Sequence, residues 1–171
     1  QSRGLGDVYK RQVRALRERV GAEYPGLPCF LLGHSMGSFV VRGYLMFWPG
    51  TVDGAILSGT GQEPPATVAA GRALSALLIR LKGPRAHSAL LDALSVGRYN
   101  GQFKPVRTSA DWISRDTVVV DAYRADPLCR FLPTVGMYHD MMVGLQLLAK
   151  PANLARMDPD TPVYFLSLIH I

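Results

Sequence analysis

The order of apolar and polar residues begins with two pairs of a helix and a strand. Helical periodicity and short apolar runs predict, in this order, helix, strand, helix and strand at residues 8–20, 28–33, 36–47 and 52–58. Gly21 and the turn at Pro25 and Gly26 are expected to end the first helix. Because two apolar strands joined by a helix pair in parallel through a right-handed crossover, we expect an α/β fold with a parallel sheet covered by helices.

The pattern changes after Gly61, where apolar stretches no longer alternate with strands. Helices or short helical elements are predicted at 68–81, 86–96, 117–124 and 131–148, and a polar loop at 100–109. A short helix at 153–157 then precedes a last strand at 162–167. We therefore expect an α/β core, a helical insertion and a return to the core, at residues 1–61, 62–151 and 152–171.

Composition limits the class of protein. The chain has 171 residues, 48% of them hydrophobic and 19% charged, which is typical of one globular domain with a core and not of a disordered segment. No apolar run is long enough to span a membrane. Cys29 and Cys129 lie too far apart in sequence to indicate a metal site, and this cysteine usage fits a reducing, cytoplasmic location.

The net charge of +6 comes partly from the first predicted helix. Its basic residues are Lys10, Arg11, Arg14, Arg17 and Arg19. Aromatic side chains do not alternate with them, as they would on a surface that stacks nucleotide bases. We interpret these residues as a solvated helix face and expect no nucleic-acid partner.

The main chemical motif is Gly33-His34-Ser35-Met36-Gly37, which joins the first predicted strand to the second helix. In this context a Gly-x-Ser-x-Gly sequence predicts a nucleophile elbow, although the same residues could form an ordinary turn. Glycines on both sides would remove Cβ atoms that clash in a strained turn. Ser35 is the candidate nucleophile, and the backbone N–H of Met36 is the candidate donor to an oxyanion.

Beyond the motif, several segments resemble the α/β-hydrolase superfamily. They are Gly-His-Ser-Met-Gly-Ser at 33–38 with the helix after it, and the runs at 53–60, 126–129 and 158–167. The similarity is greatest to the monoacylglycerol lipase and lysophospholipase-like branch, also described as serine aminopeptidase S33-type, and extends over about residues 13–167. It implies a partial α/β-hydrolase fold in which 62–151 forms a helical cap, or lid.

The resemblance also implies an activity. It predicts hydrolysis of carboxylic esters, such as monoacylglycerols or lysophospholipids, through an acyl-enzyme on Ser35, with no cofactor and no metal. The expected partner is a small acyl ester or lipid. Peripheral membrane contact through the cap and the oligomeric state stay open. Apolar cap helices with Met137, Met141 and Met142 could line an acyl-chain pocket, or could only pack the cap.

The triad partners of the serine are harder to find. In the resembled family the acid follows the last strand and the histidine comes later, so we expect both to be absent and the chain to be nearly inactive. We assign neither role to any residue present, including His34, His87, His139, His170, Asp53, Asp126, Asp140, Asp158 and Asp160. Aminopeptidase, thioesterase or acyltransferase chemistry, or a non-catalytic binding domain, are the alternatives.

Overall fold

The computed structural model describes residues 5–95, 97–101, 103–129 and 131–166. In chain order its elements are α1 (Leu5–Glu23), β1 (Phe30–His34), α2 (Met36–Phe47), β2 (Gly54–Ser58), α3 (Pro65–Lys82), α4 (Ala89–Leu94), α5 (Gly97–Asn100), α6 (Thr117–Ala125), α7 (Val135–Leu148), α8 (Pro151–Leu154) and β3 (Val163–Leu166). None of the described helices is long and apolar enough to cross a bilayer.

Three parallel strands form one sheet in the order β1-β2-β3. The register aligns His34 with Ser58, and Ser58 with Leu166, so the carboxyl ends of the strands meet at one edge. Helix α2 joins β1 to β2 and packs on the sheet. The α/β class with a parallel sheet, predicted from the alternation of helices and strands, is therefore confirmed.

The core lies between α2 and one face of the sheet. It is a cluster of buried side chains, namely Val41, Tyr44, Leu45, Val52, Ala55 and Leu57. Val13 of α1 packs against the same cluster. On the opposite face, side chains of both outer strands are exposed: Phe30 by 59%, Leu32 by 67% and Tyr164 by 63%.

The chain divides into two compact units. One contains the residues up to Arg72 and those from Asp140 onward, and the other is Ala73–His139. In the second unit, the segments around His87 and Thr134 form an antiparallel bridge, and the Val135 N–H donates to the carbonyl of Ala86 at 2.8 Å. The sheet lies wholly in the first unit. The functional division into core, cap and return stays a prediction.

Most element boundaries differ from those predicted by one to four residues, and α2 alone agrees at both ends. The first helix does not end at Gly21 as expected, because α1 continues to Glu23. Strand β1 begins at Phe30 and not at residue 28, because the Cys29 N–H donates to the Asp53 carboxylate at 2.6 Å instead of to a strand. Helix α8 begins two residues earlier than predicted, with Pro151 in its first turn, where a missing N–H costs nothing. The last residue of the predicted strand 162–167 lies outside the described residues.

Candidate active site

Ser35 occupies the turn between β1 and α2 in an unusual backbone conformation. Its φ is 50° and its ψ is −119°, and among the described residues other than glycine it alone has a positive φ. Such a conformation costs an ordinary residue about 1–3 kcal/mol and persists only where the surroundings enforce it. A strained, exposed serine between a strand and a helix is the geometry expected of a nucleophile elbow.

Backbone and side-chain hydrogen bonds hold this conformation. The Ser35 N–H donates to the carbonyl of Ser58 at 2.9 Å, which continues the pairing of β1 with β2 by one residue. The Ser35 carbonyl accepts from the Ser38 N–H at 2.9 Å and from the Ser38 hydroxyl at 2.5 Å. Ser38 is fully buried. This hydroxyl was not among the predicted residues of the elbow, although its spacing of three residues is typical of a serine that bonds within a helix start.

The two glycines of the motif differ in their surroundings. A Cβ atom on Gly33 would lie within 3 Å of backbone atoms of Gly37 and Ser38, so this position admits only glycine. A Cβ atom on Gly37 would meet nothing within 4 Å. The steric reason given for both glycines therefore holds for Gly33 and is wrong for Gly37.

The Met36 N–H is the first amide of helix α2. Within the described ranges it makes no hydrogen bond, as expected for the first amides of a helix. The positive end of the helix dipole adds to its attraction for negative charge. An amide without a partner beside an exposed serine hydroxyl is able to donate a hydrogen bond to an anionic oxygen.

The three described histidines have other partners. His34 Nδ1 lies 3.1 Å from the Ser58 hydroxyl. His87 Nδ1 lies 3.2 Å from the carbonyl of Pro133, and His139 Nδ1 lies 3.1 Å from the Ser75 hydroxyl, both in the second unit. His170 lies outside the described residues. The Ser35 hydroxyl makes no hydrogen bond in the part of the chain that the structure describes.

Carboxylates near the sheet lie at the edge opposite Ser35. Asp53 precedes β2 and accepts from the Cys29 N–H. Asp158 precedes β3 and accepts from the Thr161 hydroxyl at 2.7 Å and from the Asp160 N–H at 3.1 Å. These carboxylates precede the amino ends of their strands, whereas Ser35 follows a carboxyl end. Over the described ranges, His, Cys, Asp and Glu form no group of three that could hold a metal ion.

The methionines of α7 bear on the predicted acyl pocket. Gly71 of α3 faces Met142, since a Cβ atom there would lie 3.0 Å from its sulfur. This contact belongs to the first unit and packs α3 against α7. Met142 therefore packs these two helices together. An acyl-binding role for Met137 and Met141 stays a prediction.

Nearly the whole chain is similar in sequence to known proteins. The model of the family described as serine aminopeptidase, S33, matches residues 6–167. Human monoglyceride lipase is 32% identical over 163 residues, which is 94% of this chain and 46% of the lipase. Monoacylglycerol lipase of Mycolicibacterium smegmatis is 37% identical over 106 residues, which is 62% of this chain and 32% of that protein. The chain thus spans less than half the length of these curated relatives.

A solved structure shows the same arrangement of elements. The thermostable carboxyl esterase from Bacillus coagulans, in complex with glycerol, superposes with a TM-score of 0.77 at 25% sequence identity. The superposition covers 91% of this chain and 50% of the esterase.

Proposed function

The chain belongs to the serine aminopeptidase S33 family and has part of an α/β-hydrolase fold, and from this premise we propose that Ser35 is the nucleophile of a carboxylic ester hydrolase. The observation that carries the proposal is the Ser35 backbone, with its positive φ directly before helix α2. A fold alone does not define a reaction, but a strained serine beside an unpaired helical amide is a site with acyl-transfer chemistry.

The proposed reaction begins when the Ser35 oxygen attacks the ester carbonyl and passes its proton to a general base. The carbonyl oxygen becomes an oxyanion, to which the Met36 N–H donates. Collapse of this intermediate expels the alcohol, which receives the proton from the base and leaves the acyl group on Ser35. Water activated by the same base then hydrolyses the acyl-enzyme and releases the carboxylic acid.

The base and its carboxylate form the second part of the proposal. We propose that neither group is among the 171 residues of the chain. Two observations support this assignment: His34 Nδ1 lies beside the Ser58 hydroxyl, and Asp53 and Asp158 precede the ends of their strands that lie away from Ser35. Without a base, only the residual rate from binding and oxyanion stabilisation is expected.

The proposed substrate is a monoacylglycerol or a similar lysolipid. The names of the human and mycobacterial relatives, both monoacylglycerol lipases, support this class of substrate. Residues 62–151 are proposed to act as the cap that selects the acyl chain. A cytoplasmic location and the absence of a cofactor are parts of the proposal that rest on the sequence alone.

Hydrolysis of p-nitrophenyl esters tests this function. We expect the 171-residue chain to hydrolyse such esters at a rate barely above background. We expect the full-length protein to hydrolyse them rapidly. Robust turnover by the 171-residue chain, abolished by Ser35→Ala, would contradict the assignment of the base. If the full-length protein cleaves aminoacyl amides or thioesters faster than monoacylglycerols, its function is that of an aminopeptidase or a thioesterase and not of an ester hydrolase. No turnover of any of them would favour a binding domain.

A further inference from the structure

A cleft in the first unit lies apart from the elbow. Its volume is about 460 Å³, within the range of roughly 300–1,000 Å³ typical of small-ligand pockets. Its walls come from α2, from the segment after β2, from the start of α3 and from the end of α7 with the start of α8. None of its lining residues belongs to Gly33–Gly37.

Arg42 is the central cation of the cleft. Its Nη1 donates to the carbonyl of Gly61 at 3.0 Å, and its Nη2 donates to Oε1 of Gln62 at 3.1 Å. Both acceptors are neutral, and Arg42 forms no ion pair within the described residues. The side chain is half-buried, and this burial lowers the pKa of its guanidinium. A partly desolvated cation with neutral partners gains most from a ligand that brings a negative charge.

Among the other charged residues that line the cleft, cations outnumber carboxylates. Arg72 and Lys150 are further cations, and Glu63 is the one carboxylate among the lining residues. Lys150 is exposed, and its ammonium group has no ion pair in the described part of the chain. The field inside the cleft is therefore positive, which attracts anions more strongly at low ionic strength.

Most of the other residues that line the cleft are apolar. Its apolar residues are Pro65, Val68, Leu145, Leu148, Ala149 and Pro151. Cations beside an apolar wall match a ligand that has an anionic end and a hydrocarbon end. We propose that the cleft binds an alkyl carboxylate, with its carboxylate on Arg42 and Lys150 and its chain along the apolar wall. A phosphate is the alternative headgroup, and the test below distinguishes the two.

This site is independent of the proposed function. The ligand would not contact Ser35, and its binding would require no turnover. Measurements on the Ser35→Ala variant therefore separate the two proposals, because loss of catalysis leaves this binding intact.

Titration calorimetry on the Ser35→Ala chain, below the critical micelle concentration of each ligand, tests the proposal. Decanoate is the probe. Decanol supplies the chain without the charge, sodium phosphate supplies an anion without the chain, and decyl phosphate supplies the alternative headgroup. We expect saturable binding of decanoate that weakens at high salt, with decanol, sodium phosphate and decyl phosphate all weaker.

Four substitutions locate the site. Arg42→Gln is expected to weaken decanoate binding roughly 10- to 100-fold, the value of a charge-assisted hydrogen bond. Lys150→Gln, at an exposed position that the fold does not need, is expected to weaken it severalfold. Arg80→Gln and Lys82→Gln remove the same charges from residues that do not line the cleft, and are expected to leave the affinity unchanged.

Several results would overturn the proposal. Equal affinity for decanol would show that the negative charge of the ligand does not contribute to binding. Equal affinity for sodium phosphate would show that its hydrocarbon chain does not contribute. Tighter binding of decyl phosphate than of decanoate would show that the site prefers a phosphate headgroup to a carboxylate. Unchanged affinity in folded Lys150→Gln, or equal losses in the control variants, would place the ligand elsewhere.

Discussion

A Cβ atom on Gly33 would lie 2.5 Å from the carbonyl oxygen of Gly37. The end of β1 and the first turn of α2 therefore approach each other so closely that only a glycine fits at the first position. This approach turns the chain sharply at Ser35 and places its hydroxyl at the carboxyl edge of the sheet.

Replacing Gly33 by alanine is expected to destabilise the elbow, because a new methyl group would displace backbone atoms. We expect a loss of about 2–3 kcal/mol, or a fall in the melting midpoint of roughly 5–10 °C. Gly37→Ala is the matched control, since its Cβ would enter open space and alanine favours a helix. Scanning calorimetry of both variants checks the difference. Equal destabilisation would contradict the steric account.

The hydroxyl of Ser38 is expected to support the conformation of Ser35. Ser38→Ala removes a buried donor to the Ser35 carbonyl and should cost about 1 kcal/mol in the free energy of unfolding. Ser109→Ala, at an exposed serine, is the control and should change nothing measurable. Urea denaturation followed by circular dichroism measures both. Equal stability of the two variants would show that the backbone hydrogen bonds of Ser35 hold the elbow without the Ser38 hydroxyl.

Two leucines of the chain differ sharply in burial. Leu57 of β2 is 1% exposed in the core cluster, whereas Leu128 is 82% exposed. We expect Leu57→Ala to cost about 2–5 kcal/mol and Leu128→Ala less than about 0.5 kcal/mol. Chemical denaturation of the two variants provides the test, and a similar loss at both positions would contradict the observed core.

Asp111 links stability to pH in the loop after α5. Its carboxylate accepts from the Thr108 hydroxyl and from the backbone N–H groups of Thr108 and Arg107, and these bonds lower its pKa in the folded state. The stabilisation is thus present above the unfolded-state pKa of about 3.9 and is lost as the pH falls through the lower folded-state pKa.

NMR titration of the Asp111 carboxyl carbon measures this pKa directly. We expect a midpoint below the unfolded-state value, and a weaker decline of stability with acid in Asp111→Asn than in the unaltered chain. Asp160→Asn, at an exposed carboxylate that accepts no hydrogen bond within the described ranges, should retain the decline. A titration of Asp111 at the unfolded-state pKa would contradict the hydrogen-bonded geometry.

Local patterns were sufficient to predict much of the fold. Helix α2 has the predicted bounds, and the parallel sheet follows from two apolar runs joined by that helix. The Ser35 turn was predictable because the motif and its flanking elements lie within about twenty residues. Pairing in space was not predictable: the contact of His34 with Ser58 spans 24 positions and depends on the register of β1 with β2.

The cleft around Arg42 was also beyond sequence reasoning. Its cations lie on α2, α3 and the segment before α8, which are far apart along the chain. Arg42 in sequence is one basic residue in an apolar helix, and nothing local indicates that its partners are the neutral oxygens of Gly61 and Gln62. Only the packing of these elements makes their charges act together.

Peptide mapping of the acylated protein tests most directly whether Ser35 is the nucleophile. The full-length protein is mixed with a p-nitrophenyl ester. The reaction is quenched in acid within the first turnover, and the protein is digested for mass spectrometry. We predict an acyl adduct on the peptide that contains Ser35, its absence in Ser35→Ala, and its retention in Ser58→Ala, which removes the neighbouring hydroxyl at the same sheet edge. Rapid ester hydrolysis by the Ser35→Ala protein, or an adduct on another residue, would contradict the account.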